Sequence, residues 1–325
     1  MSLFENVTNK SNFALGILVI TTLSGSVALA GEGGSSAYRQ GTFNDFQAGV
    51  FGPAGVYFRK DLMYFDTTAE ARPQGGRVAA EVDQSVWIAL LKIAYLTDSE
   101  LFGARVGFAA TIPIVYADVS GALAVPEVGS ELFGTGSQTG FGDVYLNPLM
   151  LNWTNGYENF TFAPGLVLPT GKYDADETIN LGRNYWAFDL AGSYTYFNPN
   201  NGREFSATAG ILFNGENGDT DYQTGTEFHI DFLAAQYFSE SFGLGLAGYY
   251  YEQLTDDEGQ LAGGLSAQDL DGGFRGSGWG AGPAFVYNTA VGDTTVSVIG
   301  KAIFDIESEN RFESDTYSIS AAWKF

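Results

Sequence analysis

Thr226–Phe232, TEFHIDF, decides the fold. Phe228, Ile230 and Phe232 fall on one face of an extended chain, and Glu227, His229 and Asp231 on the other. Side chains that alternate with period two belong to a strand; a helix would repeat its apolar residues three and four apart. The theme recurs on both sides. In YWAFDLAGSYTY, Trp186, Phe188, Leu190, Tyr194 and Tyr196 oppose Asp189, Ser193 and Thr195. In TVSVIGKAIFDIE, Val296, Val298, Ala302, Phe304 and Ile306 oppose Ser297, Lys301, Asp305 and Glu307.

About twelve such segments follow Gly55, each near the ten residues that a tilted membrane strand needs. They begin near Val56, Ser85, Ala104, Val144, Phe160, Tyr185, Glu204, Thr226, Gly243, Trp279, Thr294 and Asp315. Their connections alternate in length. TDSELFG, NGYEN, NPNNGR, SES and TAVGD are short; Thr67–Gln84, Ala117–Gly142, Gly171–Asn184, Gly215–Gly225 and Thr255–Gly278 are longer. Short periplasmic turns and long outer loops produce this alternation in an outer-membrane barrel, whereas a soluble sandwich has no reason for it. The expected fold is therefore all-β, a transmembrane antiparallel barrel of about twelve strands with aromatic girdles. Prolines at 113, 148, 164, 169 and 283 fall within expected strands, where the missing ladder donor calls for a bulge; a side opening in the wall is the functional alternative.

Composition agrees. The chain of 325 residues has 43 Gly, 15% aromatic residues and a formal net charge of -23, with no run long enough for a membrane helix beyond the N-terminus. So acidic a surface argues against a nucleic-acid partner, and so many aromatics argue against disorder. Residues 1–30 read as a cleavable signal peptide: Lys10, the apolar run Phe13–Leu23, then Ala28-Leu29-Ala30. Residues 31–54 are Gly-rich and fit neither strand nor helix. They either hang in the periplasm or fold into the lumen as a plug, and Tyr38, Phe43, Phe46 and Phe51 would be left in water by the first arrangement. The barrel itself takes residues 55–325.

The runs FGPAGVYFRKDLMYFD, TGFGDVYLNPLMLNW, LPTGKYD, NLGRNYWAFD, FNGENGDTDYQTGTEFHID and GYYYEQLTDDEG resemble an outer-membrane family named for the MetA (meta-cleavage) pathway of phenol degradation, with SphA-like transporters among its members. The resemblance runs from about Phe51 to the C-terminus. It implies a Gram-negative outer-membrane passage for phenolic, hydrocarbon or lipid-like compounds; it transfers no catalytic or binding residue. A structural or surface-interaction barrel without transport is the alternative.

Lumen and substrate-path candidates are the inward residues Arg59, Asp61, Ile88, Arg105, Asp189, Glu227, His229, Asp231, Lys301 and Asp305, with Lys92 and Asp143 beside them. Charges of both signs suit a hydrogen-bonded interior, and mutual neutralisation accounts for most of them. Val86, Ile88 and Leu90 point inward if Trp87, Leu91 and Tyr95 face lipid, which gives the lumen an apolar patch fit for an amphipathic or aromatic solute. LPTGKYDADETINLGRNYW, with Lys172, Tyr173, Asp174, Arg183 and Asn184, reads as a long outer loop. Tyr follows its Gly-Lys step and a strand follows the loop, so it is no phosphate-binding loop. The acidic outer loops read first as a solvated surface; the functional alternative is that divalent cations bridge them to lipopolysaccharide phosphates. The last strand, YSISAAWKF, ends on Phe325 in the manner recognised by barrel assembly machinery. With no Cys and one His, neither a metal cluster nor a cofactor is expected. An inward His229 suits a lumen hydrogen-bonder rather than the lipid-facing base of a barrel phospholipase, so no enzyme is expected.

Overall fold

The structure, a computed structural model, describes residues 32, 36–74, 77–125, 129–132, 136–177, 179–259, 275–292 and 294–325. The expected signal peptide lies outside them. In chain order the strands are β1 (Gly55–Gln74), β2 (Arg77–Leu101), β3 (Ala104–Val125), β4 (Gly129–Leu132), β5 (Gly136–Phe141), β6 (Val144–Asn155), β7 (Glu158–Phe162), β8 (Gly165–Leu168) and β9 (Ala187–Asn198). They continue with β10 (Arg203–Asn214), β11 (Glu216–Asn217), β12 (Tyr222–Gln223), β13 (Glu227–Tyr237), β14 (Phe242–Gln253), β15 (Ser277–Val291), β16 (Thr294–Glu309) and β17 (Glu313–Lys324).

All pairings are antiparallel, and β1 pairs with both β2 and β17, so the first and last strands close the sheet. Both β5 and β6 pair with β3 and act as one wall strand interrupted at Gly142-Asp143. Likewise β7 and β8 both pair with β9, with Ala163-Pro164 between them. Counted so, the wall is a closed barrel of twelve strands, with β4 and the β11–β12 hairpin as outer additions.

The alternation read in the sequence sorts the side chains. On β2, Trp87, Leu91, Ile93 and Tyr95 are exposed while Ile88 and Leu90 are buried. On β9, Phe188 and Leu190 are exposed while Asp189 and Thr195 are buried. Large apolar residues cover the outside of the wall, and the polar residues that a soluble protein would expose lie within. That inversion is the signature of a wall facing hydrocarbon, where every backbone group must be paired around a closed sheet. Aromatics ring both rims: Phe58, Trp323 and Phe325 touch at the short-turn side, Tyr64, Trp87 and Tyr317 toward the outer side.

Three expectations need correction. Thr67–Gln84 is not a loop; β1 and β2 stay in register to Gln74↔Arg77. Ala117–Gly142 is likewise largely strand, as β3 runs to Val125 and β5 rejoins it at Val119↔Gly136. Neither stretch carries large apolar side chains at every second position, the pattern by which the other strands were recognised. Glu307 is exposed and accepts a bond from Trp279 Nε1, because the register shift between Trp279 and Gly280 turns it out of the lumen. Three of the prolines fall at breaks: Pro164 lies in the gap between β7 and β8, Pro169 follows β8, and Pro148 lies beside the register shift at Gly107/Ala109, whereas Pro113 and Pro283 sit in register within β3 and β15.

Candidate functional site: the barrel interior

The N-terminal segment lies against the inner wall. Main-chain Gly49 donates to Thr195 Oγ1 at 2.9 Å, and its carbonyl accepts from Asn152 Nδ2 and Thr161 Oγ1 at 2.8 and 3.0 Å. Higher up, Tyr38 OH and Gly41 N both donate to Asp231, and Ser36 Oγ donates to Glu227. Such a Gly-rich segment cannot satisfy its own backbone, so side chains of the wall do it. Tyr38 and Phe46 are buried, and Phe43 packs with them.

Charged candidates form two clusters. In the first, Arg59 grips Asp45 with two bonds of 2.8 and 2.9 Å and also reaches Asp61; Lys92 meets Asp61 at 2.8 Å. Lys301 completes it, donating to Gly41 O, Asn44 Oδ1 and Asp45 Oδ1. In the second, His229 Nε2 stands 3.2 Å from Asp189, and its ring stacks under Tyr38 at 4.5 Å. Tyr145 OH donates to Asp189 and Tyr251 OH to Glu227. Asp305 accepts from Tyr249 OH, Ser308 Oγ and Ser314 N. Arg105, nearer the periplasmic rim, donates to Gly52 O and to Thr97 O, with its guanidinium over Phe51. The first cluster pairs its own charges, Glu227, Asp305 and Arg105 are held by neutral partners, and together with the segment's bonds these groups tie residues 36–52 to the wall.

Between the segment and the β1–β3 wall lies a cavity of about 420 Å³. Met63, Ile88, Leu90, Val115 and Leu181 give it an apolar side; Arg39, Arg59, Lys92 and Asp143 give it a polar one. A second, outer cavity of about 90 Å³ abuts it, and Tyr38, Arg39, Ile88, Val115, Leu181 and Arg183 line both.

The expected outer loop around Lys172 only partly stays outside. Lys172 pairs with Glu177 in the open, and Asp174 caps its own turn by bonding Asp176 N. From there the chain folds back into the mouth. Gly171 N and Arg183 N both donate to Asp143, at 2.8 and 2.6 Å, over the gap between β5 and β6. Gly171 and Gly182 approach so closely that a Cβ on Gly171 would lie 2.6 Å from Gly182 Cα. This return buries Leu181 and turns Arg183 to the lumen, where it donates to Glu32 O. Asn184 adopts φ +61° and bonds Asn217 and Asp219. Tyr173 OH accepts from Asn217, and burial, reinforced by Glu32, pushes its phenol up to about 12. Sequence reasoning missed Arg39, Glu204, which accepts from Gln47 N, and Arg311, which bonds Gln40 and stacks 4.5 Å over Tyr251.

The model of the family described as "Putative MetA-pathway of phenol degradation" matches residues 67–321. Among solved structures the chain is similar to an outer-membrane channel of Pseudomonas putida F1, at 14% identity and a TM-score of 0.64, over 89% of this chain and 100% of that one. It is more distantly similar to a FadL homologue of Pseudomonas aeruginosa, at 10% identity and a TM-score of 0.41, covering 83% of this chain and 90% of that one. The translocator domain of the Neisseria meningitidis autotransporter NalP gives 10% and 0.44, covering 84% and 90%. At these identities the likeness is one of fold. A search of curated proteins finds no match to the sequence.

Proposed function

We propose, for a chain that belongs to the family of the MetA pathway of phenol degradation, that the barrel passes small apolar or aromatic molecules across the outer membrane, with residues 31–54 as a plug that narrows its lumen. The observation that carries the proposal is the inner cavity. Its volume of about 420 Å³ suits a small organic molecule, and Met63, Ile88, Leu90 and Val115 offer it an apolar side inside an otherwise polar barrel. A barrel serving only as a scaffold has no use for an apolar hollow, and a sugar or ion pore would line it with hydrogen-bonding groups. The same hollow touches Gly142 and Asp143, where the wall strand is interrupted, with Pro113 and Asn147 on the strands beside the gap. We read this as the side through which an apolar solute leaves into the membrane.

In this reading residues 1–30 are a cleaved export signal. The acidic outer loops face lipopolysaccharide through divalent cations. The final strand, with Tyr317 and Ile319 on its lipid face and Phe325 at its end, is what assembly machinery engages. His229, held by Asp189 and covered by Tyr38, ties the interior together and has no catalytic part.

The test is uptake. Cells lacking the gene, complemented with the natural chain or with Ile88→Asp, are followed for entry of radiolabelled aromatic and long-chain compounds and of a sugar. We expect loss of one apolar class in the deletion, no rescue of it by the Ile88 variant, and sugar entry unaltered throughout. Entry of every compound at the same rate in all three strains would refute the proposal.

A further inference from the structure

Among the described charged side chains that line the inner cavity, Arg39 alone has neither a hydrogen-bond nor an ion-pair partner. Arg59 and Lys92 are held by Asp45 and Asp61, and Arg183 donates to Glu32 O. Asp143 accepts two main-chain N–H groups; Asp189 takes Tyr145 and His229. Arg39 binds its surroundings only through its main chain, whose carbonyl accepts from Thr42 N. Arg39 is half-buried, and a guanidinium set in a cavity wall without a protein partner is left to water or to a guest. Its fork of five donors is open to the two cavities, because Arg39 lines both.

Its neighbours strengthen the case for a negative guest. Arg183 and Arg311 lie close enough to disfavour the charge of Arg39, while Tyr185 and Asp143 support it. The Asp143 charge is already engaged by Gly171 N and Arg183 N. Arg311 keeps one further guanidinium nitrogen, Nη1, buried and without a bond. Directly below this positive neck begins the apolar side of the inner cavity, Ile88, Leu90, Met63 and Val115.

The geometry points to Arg39 as the anchor for an amphipathic monoanion: a carboxylate at the neck between the cavities, with its apolar chain or ring in the inner one. This rests on the passage proposed above and narrows it to a chemical class. A neutral apolar solute would fill the hollow and leave the guanidinium bare. A cationic amphiphile would meet three arginines. A carboxylate accepts the fork with two parallel bonds, the geometry that arginine favours over lysine. Held there, the solute enters head last, and release follows when the head exchanges Arg39 for water.

The experiment compares probes that differ only in the head group. Decanoate, decanol and decylamine, radiolabelled, are titrated at neutral pH against the full barrel in nanodiscs, free of detergent that would compete for the hollow. The natural chain should bind decanoate about tenfold or more tightly than decanol, the worth of a charge-assisted pair, with decylamine weakest. In Arg39→Gln and Arg39→Met the decanoate advantage should vanish while decanol affinity stays unchanged; the retained decanol binding shows that the cavity has survived. Equal binding of decanoate and decanol by the natural chain would overturn the anchor and leave the apolar passage standing. Persistence of the advantage in both variants, or loss of decanol binding along with it, would also overturn the anchor. No binding of any probe would overturn both inferences.

Discussion

Lys301→Met should loosen the middle of the N-terminal segment. The Lys301 side chain is 3% exposed and that of Asp45 15%. Its ammonium spends its donors at 2.8 Å on Gly41 O, 2.8 Å on Asn44 Oδ1 and 3.1 Å on Asp45 Oδ1. Methionine keeps the length and apolar stem of lysine and removes only the charge and the donors. Breaking an enclosed pair by deleting one partner costs about 3–5 kcal/mol, because the other charge is stranded. Arg59 still holds Asp45 with two bonds, so the lower figure applies, about 3 kcal/mol. At about 1.4 kcal/mol per decade, the population with residues 41–45 detached rises roughly a hundredfold. Single-channel recording of the barrel in planar bilayers reads this as brief openings that become about a hundred times more frequent. Amide hydrogen exchange at Gly41 to Asp45 should accelerate by the same factor. The matched control is Arg275→Met, which breaks the Arg275–Asp256 pair, whose side chains are 54% and 39% exposed. An exposed pair contributes at most about 1 kcal/mol, so this variant should record like the natural chain. Opening frequency and exchange unchanged in Lys301→Met would refute the reasoning, and with it the view that residues 31–54 restrict the lumen.

Two further perturbations test other links. Asp143→Ala strands the N–H groups of Gly171 and Arg183, each of which now donates to a carboxylate. At about 1.5–3 kcal/mol for each such bond, the returning loop should detach, and exchange protection at both amides should drop by at least tenfold; retained protection would mean that packing of Leu181 alone holds the loop. Leu246→Arg puts a charge on the outer face of β14, where Leu246 is 53% exposed opposite Ala234 and Pro283. If that face meets hydrocarbon, the barrel should lose about 2–4 kcal/mol in urea unfolding from lipid vesicles, and an unchanged midpoint would place the residue outside the bilayer.

The wall was legible because lipid imposes a rule at every second residue. Phe228, Ile230 and Phe232 announce their strand since each meets hydrocarbon, while Glu227, His229 and Asp231 meet the lumen. Where that solvent ends, so does the signal. TTAEARPQGGRVAAEVDQ has no apolar face to display, and its pairing from Thr67 to Gln84 follows from continuation of the β1–β2 ladder, which hydropathy does not encode. In the outer half of β3 the alternation is inverted, with Ala117 and Val119 buried and Asp118 and Ser120 on the outer face, so it does not read as a lipid-facing strand. Glu307 fails differently: one shifted residue between Trp279 and Gly280 reverses every orientation beyond it, and a run of period two carries no mark of where the partner strand slips.

Within the lumen, sequence indicates which residues face inward and is silent on which of them lack partners. Arg59, Asp61, Asp189, His229 and Lys301 were found by their position on strands, yet in the structure they are bound to one another or to the N-terminal segment. Residues that finish a network are poor candidates for holding a guest, because a guest must break what it replaces. Arg39 stands in a Gly-rich stretch without periodicity, so nothing local tells its direction, and its significance comes from three strands and a loop that converge on it from far along the chain. The distinguishing property of the interior is a difference between an arginine that is answered and one that is not. That difference is a fact of tertiary arrangement: the single sequence sign of it was the cluster Tyr38, Phe43, Phe46 and Phe51, aromatics too costly to leave in water and therefore bound to carry Arg39 inside with them.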